Sequence, residues 1–269
     1  MINKINNQII KLKWFLKNHN NIGRIEAKLS RQETREFKSN HYLGPITYDT
    51  DSLTTSNNCD FITEPRFAKA YKAASETKPW EGFTLQWRVY IICWFADLVK
   101  NLEGDFVECG VNTGAYSRAI IDYVDFQNLD KTFYLLDTFE GFPIEQITEA
   151  EKKAGISVYE THYHDVYEEV EKTFKDFNVK IIKGRVPETL PECTTEKIAF
   201  LSIDMNAVAP EIAAIHYFWD KIVVGGVVVL DDYGFSLHTE QKYAFDEFAK
   251  QKNTSILSLP TGQGIIFKK

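Results

Sequence analysis

The chain has 269 residues, of which 44% are hydrophobic, a size and content that suit one large α/β domain with an extension or a small cap. Its formal net charge of −7 excludes a protein that binds nucleic acid over a broad basic face, because phosphate contacts need dense positive charge. Four cysteines without C-x-x-C spacing indicate reduced thiols in a cytoplasmic protein, and no apolar run is long enough to form a transmembrane segment.

Residues 1–80 are predicted to form a helical extension or cap in front of the main domain. Residues 1–24 carry five positive side chains and no acid, and an apolar stripe recurs every three or four positions, at Ile2, Ile5, Ile9, Leu12 and Leu16. This stripe predicts a helix that packs on its own domain or on a second subunit; a basic helix on a membrane surface is the alternative. Residues 40–60 are rich in turn formers and predict a loop or linker, whereas PRFAKAYKAASE (residues 65–76) predicts a short helix.

Residues 81–269 alternate between helical and strand patterns and are predicted to form the main domain. Runs rich in Val, Ile and Leu predict strands at residues 105–109, 132–137, 178–183, 197–204 and 225–231. Helical patterns cover residues 84–102, 115–124, 209–221 and 239–251. Two more strands, within residues 254–260 and 265–269, predict an antiparallel C-terminal edge. The predicted fold is therefore α/β and Rossmann-like, with a mostly parallel seven-stranded sheet and helices on both faces.

Residues 144–177 interrupt this alternation and predict a lid-like insertion. They contain the sequence HYHD (residues 162–165), which suggests metal ligands. No third ligand with suitable spacing lies nearby, so we favour a solvated helix or lid over a metal site there.

A glycine turn between the first strand and the next helix predicts a cofactor site. The strand ends in Glu108, and Gly110 to Gly114 precede the helical pattern. A second acid, Asp137, ends the following strand, where such an acid holds the hydroxyls of a ribose. The spacing G-x-x-x-G offers no cradle for a pyrophosphate, and there is no P-loop. The pattern therefore favours an adenosyl ligand without phosphates over NAD or ATP.

Three further acids follow the next two strands. Asp204 ends one of them, and Asp231 and Asp232 end the other. Ligands bind beyond the carboxyl ends of parallel strands, and carboxylates that converge there repel one another unless they share a cation. The three acids therefore predict a Mg²⁺ or Mn²⁺ site, to which Asn206 can add a carbonyl oxygen. Capping of a following turn is the alternative, and it explains one acid better than three.

His238 follows these acids in a segment with a loop-like sequence. A histidine with an unperturbed pKa titrates near neutrality, so His238 is a candidate general base. A surface histidine without a catalytic role is an equally good interpretation.

The chain resembles class I S-adenosylmethionine-dependent methyltransferases and, more narrowly, the macrocin O-methyltransferase family, which methylates sugar hydroxyls and phenols of natural products. The resemblance covers about residues 80–269. It is carried, in this order, by GDFVECGVNTGAYS (104–117), LLDTFEGFP (135–143), IIKGRVPETLP (181–191), FLSIDMN (200–206) and GGVVVLDDYG (225–234). PTGQG (260–264) resembles a feature of one branch of the family.

The resemblance implies a metal-assisted O-methyltransferase whose acceptor is a small molecule with a hydroxyl group, of sugar or phenol type, and a homodimer. It implies cofactor contacts by Glu108, Gly110, Thr113, Gly114, Asp137, Thr138, Phe139, Gly184 and Arg185. It implies metal binding by Asp204, Asp231 and Asp232, and a role as general base for Asp204. The family often has D-x-D where this chain has Asp204-Met205-Asn206. This departure keeps open the alternative of a degenerate protein that binds the cofactor without catalysis. A nicotinamide oxidoreductase is a third hypothesis, which the missing third glycine disfavours.

Overall fold

The computed structural model describes residues 44–80 and 82–269. This part of the chain contains a seven-stranded sheet. Its strands are β3 (Asp105–Cys109), β4 (Phe133–Asp137), β5 (Val179–Lys183), β6 (Ile198–Ile203), β7 (Ile222–Leu230), β8 (Leu257–Ser258) and β9 (Gly264–Phe267). They lie in the order β5-β4-β3-β6-β7-β9-β8. Strands β3 to β7 are parallel, and β9 pairs antiparallel with both β7 and β8. The predicted parallel sheet with an antiparallel C-terminal edge is confirmed.

Two hydrophobic layers cover the sheet, and successive strand residues alternate between them. Phe106 of β3 belongs to one layer and Val107 to the other, as the two-residue period of a strand requires. The helices of the described part are α1 (Pro65–Glu76), α2 (Gln86–Val99), α3 (Ala115–Val124), α4 (Glu149–Ala154), α5 (Tyr167–Phe174), α6 (Val208–Phe218) and α7 (Thr239–Gln251). The first layer contains side chains of α1, α2, α3 and α5, and the second contains side chains of α6 and α7. Every residue of β6 is buried, because β6 lies between two neighbours and under both layers.

The segment before the sheet holds a short hairpin that the sequence analysis missed. Strands β1 (Tyr48–Thr50) and β2 (Leu53–Thr55) pair antiparallel, with both turn residues, Asp51 and Ser52, at positive φ. The prediction of a loop is therefore wrong for these positions. Helix α1 matches its predicted range and buries Phe67, Ala70 and Ala74 in the core. The apolar stripe within residues 1–24 lies outside the described residues, and the division of the chain at residue 80 stays a prediction.

The segment predicted as a lid is only partly irregular. Helix α4 begins at a capping box in which Thr148 and Glu151 satisfy each other's backbone N–H groups. Helix α5 buries Val170 and Phe174 in the first layer and connects β4 to β5, so it is a crossover helix of the fold. The insertion that lies over the sheet edge is therefore shorter than predicted. None of the helices in residues 44–80 and 82–269 is long and apolar enough to cross a membrane.

Candidate active site

A cavity of about 560 Å³ opens beyond the carboxyl ends of the parallel strands. Most of the predicted site residues line it: Glu108, Gly110, Thr113, Asp137, Thr138, Phe139, Gly184, Asp204, Asp231, Asp232 and His238. Two predicted residues do not. Gly114 lies behind the cavity wall at the start of α3, and Arg185 faces a neighbouring hollow, where it pairs with Glu145. The fold therefore brings the predicted cofactor residues and the three acids to one place.

The first wall of the cavity is the glycine turn between β3 and α3. Gly110 has φ +87, and a Cβ atom built on it would lie 1.7 Å from the backbone oxygen of Asp204. The two strand ends are tied together there, since the Asp204 N–H donates to the Cys109 carbonyl at 2.8 Å. Gly114 also has a positive φ, and a Cβ there would meet the ring of Phe174. Both positions require glycine for conformation and for space.

Replacing Gly110 with alanine should therefore lower the free energy of unfolding by more than about 2 kcal/mol, since a left-handed conformation alone costs about 1–2 kcal/mol for a residue with a Cβ. Gly155→Ala is the matched control, because Gly155 has φ +101 but no atom of the described residues within 4 Å of its Cβ position. Urea denaturation of both variants separates backbone strain from close approach. Equal losses in the two variants would contradict a special role for the contact between Gly110 and Asp204.

Asp137 holds the glycine turn in place from the end of β4. One carboxylate oxygen accepts the backbone N–H groups of Val111 at 2.5 Å and Asn112 at 2.8 Å, and the other accepts that of Phe139 at 2.8 Å. Asp137, which is predicted to bind the ribose hydroxyls, therefore also holds the glycine turn in place.

Glu108 forms part of the cavity floor and is 1% exposed. Its carboxyl group accepts a hydrogen bond from the Ser117 hydroxyl of α3. Burial, with a smaller contribution from the charge of Asp137, raises the pKa of Glu108 to about 8. A positively charged ligand group beside Glu108 would favour its ionised form.

The second wall contains the three acids at the ends of β6 and β7. Each of Asp204, Asp231 and Asp232 offers an oxygen within 4.8 Å of the others. Burial and the charges of Asp231 and Asp232 raise the pKa of Asp204 well above its usual range. Asp232 Oδ2 is buried and has no hydrogen-bond partner among residues 44–80 and 82–269. Free carboxylate oxygens of this kind suit a hard divalent cation, so the residues present fit Mg²⁺ or Mn²⁺.

Three residues that the sequence analysis missed surround Asp231. The Arg88 guanidinium donates to Asp231 Oδ2 and, at 2.8 and 2.9 Å, to both oxygens of Asp51 in the β1–β2 turn. The Tyr116 hydroxyl and the Gln263 amide also reach Asp231, at 3.1 and 3.0 Å. Arg88 is a lone cation within the apolar helix α2, and that pattern was the available sequence signal. Gln263 belongs to the PTGQG segment, so this segment contacts the site.

His238 is 3% exposed and lies beside the acids, so the surface interpretation is wrong. Its Nδ1 atom faces the Gln241 side-chain oxygen. Nε2 lies 3.3 Å from the Tyr159 hydroxyl and 3.7 Å from Asp232 Oδ2. Nε2 is therefore the ring nitrogen that faces the acid cluster and Tyr159.

The lid contributes two tyrosines that sequence analysis did not single out. Tyr159 meets His238, and the Tyr163 hydroxyl accepts a hydrogen bond from the Asn206 amide at 3.4 Å. Glu151 of α4 anchors this segment, because its carboxylate accepts the Val208 N–H at the start of α6 at 2.7 Å. The segment that carries Glu151, Tyr159 and Tyr163 is thus joined to residues beside the acid cluster.

The chain also matches a known protein family. The model of the family described as Macrocin-O-methyltransferase (TylF) matches residues 30–260. The chain belongs to this family. Membership makes it an S-adenosylmethionine-dependent O-methyltransferase and decides against the nicotinamide oxidoreductase. The degenerate binding protein stays an alternative, which an assay of methyl transfer tests.

Two curated proteins and several solved structures are similar to this family member. The mycinamicin III 3''-O-methyltransferase of Micromonospora griseorubida is 24% identical over 64% of this chain and 73% of its own length. The demethyldecarbamoylnovobiocin O-methyltransferase of Streptomyces niveus is 27% identical over 50% of this chain and 54% of its own length. The structure of the O-methyltransferase NovP has a TM-score of 0.61 at 22% identity and covers 74% of this chain and 88% of that one. The calicheamicin methyltransferase CalS11 has a TM-score of 0.54 at 14% identity and covers 82% of this chain and 99% of that one. These structures support the fold.

Proposed function

We propose that this O-methyltransferase transfers the methyl group of S-adenosylmethionine to a hydroxyl of a sugar or another natural-product small molecule, assisted by Mg²⁺ or Mn²⁺. The observation that carries the proposal is the cluster of Asp204, Asp231 and Asp232 in the same cavity as the glycine turn. The names of the two curated relatives, whose acceptors are mycinamicin III and demethyldecarbamoylnovobiocin, support this class of acceptor.

The cofactor side of the cavity is assigned to residues around the ends of β3, β4 and β5: Glu108, Gly110, Thr113, Gly114, Asp137, Thr138, Phe139, Gly184 and Arg185. Within this set, Gly110 and Gly114 shape the turn and Asp137 fixes it. Glu108 offers a carboxylate to a positively charged group. Arg185 contributes from the neighbouring hollow, next to Gly184.

The acceptor side is assigned to the acid cluster and the lid. The carboxylates of Asp204, Asp231 and Asp232 form the site for the divalent ion. When bound, the ion lowers the pKa of an acceptor hydroxyl and orients it. Either Asp204 or His238 removes the proton. In the second case Nε2 of His238 accepts it, because Nδ1 faces the Gln241 side-chain oxygen. Tyr159 and Tyr163 cover the acceptor and exclude water.

The charges around the cavity favour an uncharged acceptor. Among its described lining residues are six carboxylates and one guanidinium, that of Arg88, which is already paired with two acids. Apolar surface is supplied by Trp80, Phe83, Phe235 and Leu237. A phosphate group has no unpaired cation to meet in this lining, whereas an aromatic or apolar aglycone has contact surface.

Transfer of a labelled methyl group tests the proposed function. We expect turnover with members of a panel of neutral aryl glycosides and catechols, and none with the corresponding sugar phosphates and sugar nucleotides. Leu237→Lys, which places a cation at the exposed rim, should improve the anionic acceptors relative to the neutral ones. Turnover with the phosphorylated acceptors alone would contradict the argument from charge.

A homodimer and a cytoplasmic location remain predictions.

A further inference from the structure

An indole ring lies half-exposed in the wall of the cavity. Trp80, in the connection between α1 and α2, lines the cavity and is 46% exposed. Leu237, in the turn after β7, also lines it and is 51% exposed. Large apolar side chains that stay in contact with water inside a binding cavity suit the apolar part of a ligand, because binding removes their surface from water.

Trp80 packs on a column of aromatic rings that belongs to the domain. Its ring meets Phe83 edge-on, with ring centroids 5.0 Å apart and an angle of 71° between the planes. Phe83 in turn stacks on Tyr71 of α1, at 5.2 Å and 16°. The Tyr71 hydroxyl donates to the Phe83 carbonyl and accepts the Leu85 N–H, both at 3.0 Å. The indole is therefore held in place before any ligand binds, which lowers the entropic cost of a contact with it.

The segment that carries Trp80 leads to the acid cluster. Leu85 and Arg88 line the cavity further along this segment, and Arg88 contacts Asp231. The Phe235 ring centroid lies 5.2 Å from the Arg88 guanidinium carbon, so apolar surface from the turn after β7 adjoins the same wall. The acceptor side of the cavity therefore has a charged end at the acids and an aromatic end at Trp80.

We propose that Trp80 is a specificity-determining residue that contacts an aromatic ring of the acceptor while the hydroxyl to be methylated lies at the acid cluster. The inference rests on the proposed function and narrows its acceptors to molecules with an aryl group attached to the part that bears the hydroxyl. A planar ring gains from an indole through burial of apolar area and through stacked or edge-on contact. A methyl group in the same place buries only a fraction of that area.

Matched pairs of acceptors test this inference. The two members of a pair have the same sugar, which is glucose, galactose or rhamnose, and carry either a 2-naphthyl or a methyl group on the anomeric oxygen. Calorimetry measures their binding to the full-length protein with S-adenosylhomocysteine and Mg²⁺ present. We expect at least one naphthyl glycoside to bind about tenfold more tightly than its methyl partner. Trp80→Ala should reduce this preference at least fivefold, and Trp80→Phe should keep most of it.

Trp94→Ala is the matched control and should leave the preference unchanged. Trp94 is 45% exposed, almost as much as Trp80, but it is not among the described residues that line the cavity. Thermal melting shows which variants are folded, and Trp80→Leu, which keeps apolar bulk without a ring, replaces Trp80→Ala should that variant not fold.

An indole that covers the cofactor instead gives a different result. The Thr77 hydroxyl, close to Trp80 in the chain, lies 3.0 Å from that of Thr113 in the glycine turn. If Trp80→Ala weakens S-adenosylhomocysteine binding and leaves the acceptor preference intact, the inference is overturned. An unsubstituted protein that prefers none of the naphthyl glycosides overturns it as well, and both results leave the proposed function in place. Absence of methyl transfer to every neutral acceptor would overturn the proposed function, whereas the binding preference would still decide the role of Trp80.

Discussion

Asp137→Ala should weaken the binding of S-adenosylhomocysteine by at least tenfold. The proposed contact of this acid with the ribose hydroxyls involves a charged acceptor, and such hydrogen bonds contribute about 1.5–3 kcal/mol. The structure adds a second reason, since the same carboxylate accepts the N–H groups of Val111 and Asn112 and so holds the glycine turn. Both effects lower affinity, so the loss should exceed that from a ribose contact alone.

Calorimetric titration of the folded variant measures this loss of affinity. The Asp137→Asn variant serves as an intermediate case. Asparagine keeps one acceptor oxygen and the size of the side chain but loses the charge, so its affinity should fall between those of the other two proteins. Circular dichroism confirms that the sheet is intact. Unchanged affinity in a folded alanine variant would remove Asp137 from the cofactor site.

The sheet and most of the site were predictable because local patterns specify them. Buried strands such as β6 appear in the sequence as short continuous runs of apolar residues, and the strand-end rule places Asp204 and Asp231 at one edge. No comparable pattern predicts the β1–β2 hairpin. Its strands have three residues each, and its turn residues are Asp51 and Ser52 rather than glycines. Helix α5 was missed because four of its eight residues are charged and only two are buried in the core.

The contacts around the acids depend on residues that are far apart in the chain. Arg88 and Asp231 are separated by 143 positions, and Tyr159 and His238 by 79. A sequence without its fold shows that each of these side chains is capable of a polar contact but not which partner it meets. His238 is likewise buried in contact with a distant residue, Tyr159, and the sequence alone left its position undecided.

Methyl transfer should fall at least a hundredfold when divalent ions are removed with EDTA, and it should return with Mg²⁺ or Mn²⁺. Polarisation of a hydroxyl by a metal contributes several kcal/mol, and about 2.7 kcal/mol already corresponds to a hundredfold change in rate. Asp204→Asn should cause a loss of similar size with little change in the affinity for S-adenosylhomocysteine, because the cofactor contacts are assigned to Glu108, Asp137 and their neighbours.

The unliganded cluster explains why the ion should matter so much. Burial and the neighbouring acids raise the pKa of Asp204, which favours its protonated form and so lowers the fraction of carboxylate that can accept the proton of a hydroxyl. A cation shared by the three acids would favour the ionised form of Asp204. Should EDTA leave turnover unchanged with a true acceptor, the acids have another task, and a metal-free mechanism with His238 or Asp204 as general base takes over. His238→Gln then separates these two bases, since it should abolish most turnover only if Nε2 of His238 accepts the proton.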